Sequence, residues 1–232
     1  TWQRESPDRA KLVQAESDTR SGPEYEQESI ARWRDPRHRV RLPYYGFEHV
    51  ELCLEHGDQV GGDYARWLAQ RGVDQALLAG PDRAGARQGV IAPQGWRTAL
   101  AEDDYPSAFV RDRTIAWLHD HRRASRDRPF YLQCSFPDPH HPFTPPGRYW
   151  DMYKPSDMEL PAAFHIGNRP LPPHAAALHA ARDNGTRIAD SQPAFAVTER
   201  ETREAIALTY GMIAMIDDGV AKILKRLAEL GL

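Results

Sequence analysis

Pro129-Phe130-Tyr131-Leu132-Gln133-Cys134-Ser135-Phe136-Pro137-Asp138-Pro139-His140-His141-Pro142-Phe143-Thr144-Pro145-Pro146 decides the fold. The apolar run 130–136 has the length and composition of a strand. It stops at a turn in which Pro137, Pro139, Pro142, Pro145 and Pro146 remove backbone donors, so a sheet cannot continue through it. His140 and His141 are therefore expected on a rigid loop at the C-terminal end of a buried strand. In open α/β sheets, that edge is where active sites gather.

Upstream of this run, Pro106 and Ser107 open a predicted helix over 107–121. Phe109, Val110, Thr114, Trp117 and Leu118 share one of its faces at three- and four-residue spacing. A basic connection, 122–128, leads into the run. A helix, a short loop and a buried strand make half of a crossover unit. Residues 64–70 predict a shorter helix, with Gly62-Asp63 at its N-cap, Tyr64, Trp67 and Leu68 on its apolar face, and Arg71-Gly72 closing it. Before that, Phe47, Val50, Leu52 and Leu54 suggest a strand over 47–54, ended by His56-Gly57-Asp58. Residues 42–46 form an aromatic turn, and 1–40 are charged with weak periodicity, apart from one helical turn near 29–34.

Downstream, residues 137–198 show no period, like 72–104 before them. Loops of that length usually wall an active site or contact something missing. The last element is the clearest helix, 199–230. Ala205, Leu208, Ile213, Ile216, Val220, Ile223, Leu224 and Leu227 give its stripe, Thr198 and Glu201 its capping box, and Gly231 its stop.

Composition sets the bounds. The net charge of −3 gives no reason to expect nucleic acid or a membrane as partner, and no apolar run approaches the roughly 20 residues that span a bilayer. Cys53 and Cys134 read as two free buried thiols, which favours the cytoplasm. The 19 prolines and 16 glycines lie mostly outside the periodic segments, so much of the chain is expected to be ordered loop. The first residue is Thr1, with no signal peptide ahead of it, which suggests a fragment or a processed product.

The words in this chain resemble type I sulfatases, of the alkaline-phosphatase superfamily. The resemblance rests on Pro129 to Pro146 with its Pro-His-x-Pro core, and on Tyr210-Gly-Met-Ile-Ala-Met-Ile-Asp-Asp-Gly-Val. It rests also on Leu42-Pro-Tyr-Tyr-Gly-Phe-Glu-His-Val-Glu-Leu. It covers about 35–164 and 199–232. It implies an α/β fold: part of a mixed, mostly parallel sheet flanked by helices, with long ordered loops. The whole chain, 1–232, is then a single partial domain, the central segment of a catalytic domain. The implied chemistry is sulfate-ester hydrolysis by a formylglycine nucleophile beside a calcium ion, with fixed cations neutralising the sulfate.

The catalytic set of that family is not in this sequence. Its Cys/Ser-x-Pro/Ala-x-Arg motif has no counterpart at Cys53, Cys134, Ser21 or Ser191. Asp103-Asp104 follows a loop rather than a first strand. Asp217-Asp218 lies within a helix, where neighbours diverge by about 100°. Asp183-Asn184-Gly185 precedes the long helix and reads as a turn. Calcium and formylglycine therefore belong to the family and not to residues of this chain, and the catalytic lysine is expected beyond Leu232.

By position, the resemblance makes His140 the residue that contacts the sulfate and assists the leaving group. His141 reads equally as a pocket-lining group and as a solvent-facing one. Asp138 reads as a turn residue in preference to a group that orients a histidine, His119 and His121 as helix-terminal groups, and His49 and His56 as surface or packing groups ahead of pocket ones. The implied partner is a small-molecule sulfate ester. A phosphonate or phosphate ester hydrolase on the same scaffold is the neighbouring reading, and an inert structural fragment the opposing one. Open strand edges would favour a homo-oligomer or poor solubility.

Overall fold

Two amphipathic helices, each with one buried face, set the architecture. The computed structural model describes residues 22, 25–83, 86–87, 89–124, 128–165, 170–189 and 194–232, in two compact units, Thr1–Leu52 and Cys53–Leu232. In chain order the elements are α1 (Ile30–Trp33), β1 (Cys53–Leu54), β2 (Gly61–Gly62), α2 (Asp63–Gln70), α3 (Gln75–Leu78), α4 (Pro106–Ala124), α5 (Pro173–Asp183) and α6 (Glu199–Leu230). Single 3-10 turns stand at Gly57–Gln59, Glu102–Asp104, Gly147–Tyr149 and Pro155–Asp157.

The smaller unit holds α1 and the aromatic turn. Tyr44 and Phe47 exchange backbone hydrogen bonds of 3.0 and 2.9 Å across Tyr45 and Gly46, both left-handed, which is the geometry of a two-residue primed turn.

In the larger unit, α4 packs along α6, and α2 packs on the start of α4. Val60, Tyr64, Leu68, Tyr105, Phe109 and Met215 form the centre of the core. Tyr64, Trp67 and Phe109 meet edge-on or tilted, with ring centroids 5.5–6.1 Å apart. The capping box of α6 forms as its sequence predicts: Thr198 Oγ1 accepts from the Glu201 N–H, and Glu201 accepts from the Thr198 N–H. Gly231 ends the helix at φ +66°.

The buried face of α6 is narrower than its predicted stripe. It runs through Leu208, Gly211, Met212, Met215, Gly219 and Ile223, while Ile213, Val220 and Leu224 are exposed. The two glycines explain the shift. A Cβ at Gly211 would lie 2.2 Å from the Tyr149 carbonyl oxygen, and Gly219 faces the Phe136 ring at 3.7 Å. Close approach of backbone and ring selects the glycine face and leaves a second apolar stripe uncovered.

Among the described residues the sheet is a single antiparallel pair, Cys53↔Gly62 and Leu54↔Gly61. The mostly parallel sheet expected from the sequence is not formed by them, and the strand expected over 47–54 is reduced to β1. Residues 130–136 join no ladder. Their alternation is nevertheless that of a strand: Leu132, Cys134 and Phe136 turn inward while Tyr131, Gln133 and Ser135 face out. Phe130 packs on Trp117, the Thr114 hydroxyl donates to Cys134 Sγ at 3.3 Å, and Phe136 lies on Gly219. A ladder needs a neighbour, and these residues have helices on one face and, among the described residues, no paired strand at either edge.

The loops read as patternless are held by buried carboxylates and broken by a helix. Glu204 accepts from the Ile91 and Ala92 N–H groups at 2.7 and 2.8 Å, fastening the 89–95 loop to α6. Burial alone would raise Glu201, but Arg187, at 2.6 and 2.9 Å, and the Thr198 cap outweigh it and hold the carboxyl below its usual range. The α5 helix was hidden from the sequence reading because its alanine-rich residues have no buried face. Asp183-Asn184-Gly185 closes that helix as a turn, with Gly185 at φ +75°. The motif positions Ser21 and Ser191 lie outside the described residues.

Candidate active site

The sequence directs attention to the loop after residue 137, and the fold shows what anchors it. Asp138, preceding Pro139 and His140, is buried. Its carboxylate accepts from the Ser107 hydroxyl at 2.6 Å and, more weakly, from the Tyr105 hydroxyl at 3.4 Å. Tyr105 also shares a 2.8 Å hydrogen bond with Thr144 Oγ1, which accepts the Asp58 N–H at 3.0 Å. Loop, helix start and the 56–58 turn are thus joined by one chain of buried polar groups. Asp138 is not the turn residue the sequence suggested: it is the loop's anchor on α4. Burial raises its pKa to about 6, against the lowering effect of Ser107 and Tyr105.

Asp58 anchors the other side. It is fully buried and its Oδ2 accepts from the Gly80 N–H and the Trp96 indole N–H, both at 3.0 Å. Burial raises its pKa, and those donors pull it back. The 94–96 stretch is tied in turn to Phe143, by Phe143 N–H to the Gln94 carbonyl at 2.8 Å and Trp96 N–H to the Phe143 carbonyl at 3.3 Å.

Three imidazoles stand on this platform. His56 and His140 are stacked, with ring centroids 3.7 Å apart and planes 18° from parallel. His141 also lies against His140, at 4.1 Å and 39°. His140 Nδ1 bonds the His141 carbonyl oxygen. A carbonyl only accepts, so Nδ1 carries the proton and Nε2 is the nitrogen left for a ligand. Burial, then the charge of His140, lowers the pKa of both His56 and His141. The sequence had singled out His140 and His141, and the fold brings them together. It also adds His56, read from the sequence as a surface or packing group. Nothing local marks it, because its partner is 84 positions away in the chain.

Beside His141 opens a mainly apolar cavity of about 800 Å³, with Phe143, Leu160, Phe195, Ile206 and Tyr210 in its wall. Glu201 also reaches it, but that carboxylate is already neutralised by Arg187. His121, read as a helix-terminal group, packs between Trp117 and Phe130 and bonds the Arg128 carbonyl at 3.0 Å.

No calcium seat is built from these residues. Among the described residues there is no group of three or more His, Cys, Asp or Glu side chains able to hold a metal ion. Four of the aspartates considered from sequence are engaged elsewhere. Asp103 pairs with Arg111, Asp104 with Arg71, Asp183 with Arg182, and Asp218 with Arg148 and the Tyr149 hydroxyl. Cys53 and Cys134 form no disulfide, and burial raises the Cys134 thiol, which is therefore not set up as a nucleophile. No described helix is long and apolar enough to cross a membrane.

Comparison with known proteins finds similarity to sulfatase-type hydrolases. The chain is 28% identical over 172 residues to an arylsulfatase of Clostridium perfringens, a match covering 73% of this chain and 31% of that enzyme. It is 26% identical over 189 residues to the multifunctional alkaline phosphatase superfamily protein PehA of Trinickia caryophylli, covering 72% of this chain and 33% of PehA. No family model matches the chain. It spans about a third of the length of the curated relatives it matches. In both matches the chain is similar to a part of a sulfatase or alkaline-phosphatase-superfamily protein, in line with the resemblance carried by its Pro-His-x-Pro loop.

Proposed function

We infer that the chain forms the leaving-group wall of a sulfate-ester hydrolase. The observation that carries this reading is His140: it is exposed, its Nδ1 is committed to a backbone carbonyl so that Nε2 is left for a ligand, and its loop is bolted to α4 through Asp138. With Nε2 protonated, it would donate to the oxygen of the departing alcohol and return to the neutral Nδ1–H form that the His141 carbonyl holds. The same proton thus stays on Nδ1 throughout. A positioned acid of this kind contributes about 10²–10⁴-fold in rate. His141, held neutral and sitting at the lip of the apolar cavity, would contact the organic part of the ester.

The formylglycine and calcium of that chemistry have no seat among the described residues. In this reading, residues outside them supply both, and the chain alone is inert. Two uncovered features support a larger domain. One is the strand-like 130–136, helix-backed on one face. The other is the spare stripe Ile213, Val220 and Leu224 on α6. Both fit one layer of a mostly parallel sheet whose remaining strands lie elsewhere.

The relation to PehA favours a second reading on the same site, in which a phosphate or phosphonate ester replaces the sulfate ester. Turnover of 4-nitrophenyl sulfate, phosphate and phenylphosphonate separates the two. The 232-residue chain is expected to turn over none of them. The uninterrupted reading frame in which it lies is expected to favour the sulfate and to lose about 10²–10⁴-fold with His140→Ala. Unchanged turnover in that variant would overturn the role given to His140, and a preference for a phosphorus ester would select the second reading.

A further inference from the structure

His56 lies outside every motif that carries the family resemblance, yet several independent features fix its place. The residues on both sides of it are left-handed, Glu55 at φ +69° and Gly57 at φ +58°. A non-glycine residue in that region is strained and persists where its surroundings enforce it. Gly57 is pressed against the His140 loop so closely that a Cβ would stand 2.7 Å from Pro142 Cγ and 3.0 Å from its carbonyl oxygen. One residue on, Asp58 donates its N–H to Thr144 of the same loop. The turn is therefore clamped to the 139–144 loop just after its histidine, and the imidazole is laid flat on that of His140.

We propose that His56 is a positioning residue for His140: its ring is the plate against which the His140 ring is held, so that Nε2 presents one fixed direction to an ester oxygen. The Nδ1 bond to the His141 carbonyl chooses which nitrogen faces outward, and that bond holds only while the ring plane is fixed by its neighbours. His56 is stacked on one face, and His141 bears on the same ring at a tilt. A plate of this kind must not compete for the proton. Burial, with His140 acting in the same direction and Glu55 opposing, keeps His56 neutral at pH 7. The inference rests on His140 as the site histidine, but its geometry can be read without turnover.

The test uses the ¹⁵N-labelled 232-residue chain and long-range imidazole spectra recorded as a function of pH. In the wild type, His140 is expected as a single tautomer with its proton on Nδ1. His56→Ala is expected to convert this to a mixture, and His56→Phe, which keeps a flat ring without a titrating nitrogen, is expected to restore it. In His140→Ala the titration midpoint of His56 is expected to rise toward the ordinary histidine value. An unchanged His140 tautomer in His56→Ala, or an unmoved His56 midpoint in His140→Ala, overturns the proposal. If His56→Ala fails to fold by circular dichroism, the His56→Phe spectrum and the His140→Ala titration still decide it. Failure here leaves His140 as the acid of the proposed reaction. Conversely, intact turnover with His140→Ala removes the reaction and with it the role of His56, while the stack itself would remain.

Discussion

The α4–α6 pair and the histidine platform are built from different materials. The helix pair is held by apolar side chains at three- and four-residue spacing, around Phe109 and Met215. The platform is held by buried hydrogen bonds between Asp58, Thr144, Tyr105, Asp138 and Ser107, residues up to 86 positions apart. Periodic burial is local information. A buried polar network is not, since each member makes sense only when its partner is in place. The comparison therefore separates what holds the scaffold from what aims the site.

That contrast can be broken at four points. The largest effect is expected from Phe109→Ala, in the apolar part: about 3–5 kcal/mol lost in denaturant unfolding, by lost transfer and a residual cavity. Less than about 1 kcal/mol would mean that the core does not carry the helix pair.

Next is Asp138, in the polar part. Its folded pKa, about 6, stands above the unfolded carboxylate value of about 3.9. The folded state then binds more protons between these values, so stability from this group is complete below about pH 4 and falls as pH rises to about 6. Asp138→Asn is expected to abolish that slope, on the order of 2–3 kcal/mol, in unfolding curves taken across this range. An identical slope in the variant would show that Asp138 is not buried in an uncharged setting.

Gly211→Ala comes third, and its sign is the point. In an open helix the change stabilises by about 1 kcal/mol. Here the new methyl meets the Tyr149 carbonyl, and a loss of about 1–3 kcal/mol in thermal unfolding is expected instead. A gain would place the 3-10 turn at 147–149 away from α6. Thr198→Ala is the smallest, about 1 kcal/mol through the lost cap, read as fraying of the first turn of α6 by amide exchange.

The same division decides what could be read from the chain. The helices over 64–70, 107–121 and 199–230, the capping box and the Gly231 stop follow from spacing and end chemistry, and all form within one to three residues of where they were expected. The strand character of 130–136 is visible in its alternation, but its pairing is a property of neighbours that these residues do not contain. On α6 the stripe was drawn through the large aliphatics, while the fold buries the glycine and methionine face, because close approach and not side-chain size selects it. In the site, the Pro-His-His-Pro word exposed His140 and His141. Asp138 and His56 stood out less, since their partners, Ser107 and His140, are groups no local pattern connects to them.

The central claim is that His140, on its anchored loop, is the residue of this chain that meets the ester anion. It is tested most directly by titrating inorganic sulfate into the ¹⁵N-labelled chain at slightly acidic pH and following the imidazole resonances. A saturable shift centred on His140 Nε2, with smaller changes at His56 and His141 and none at the other histidines, is the predicted result. Saturable shifts elsewhere with His140 unmoved would contradict it.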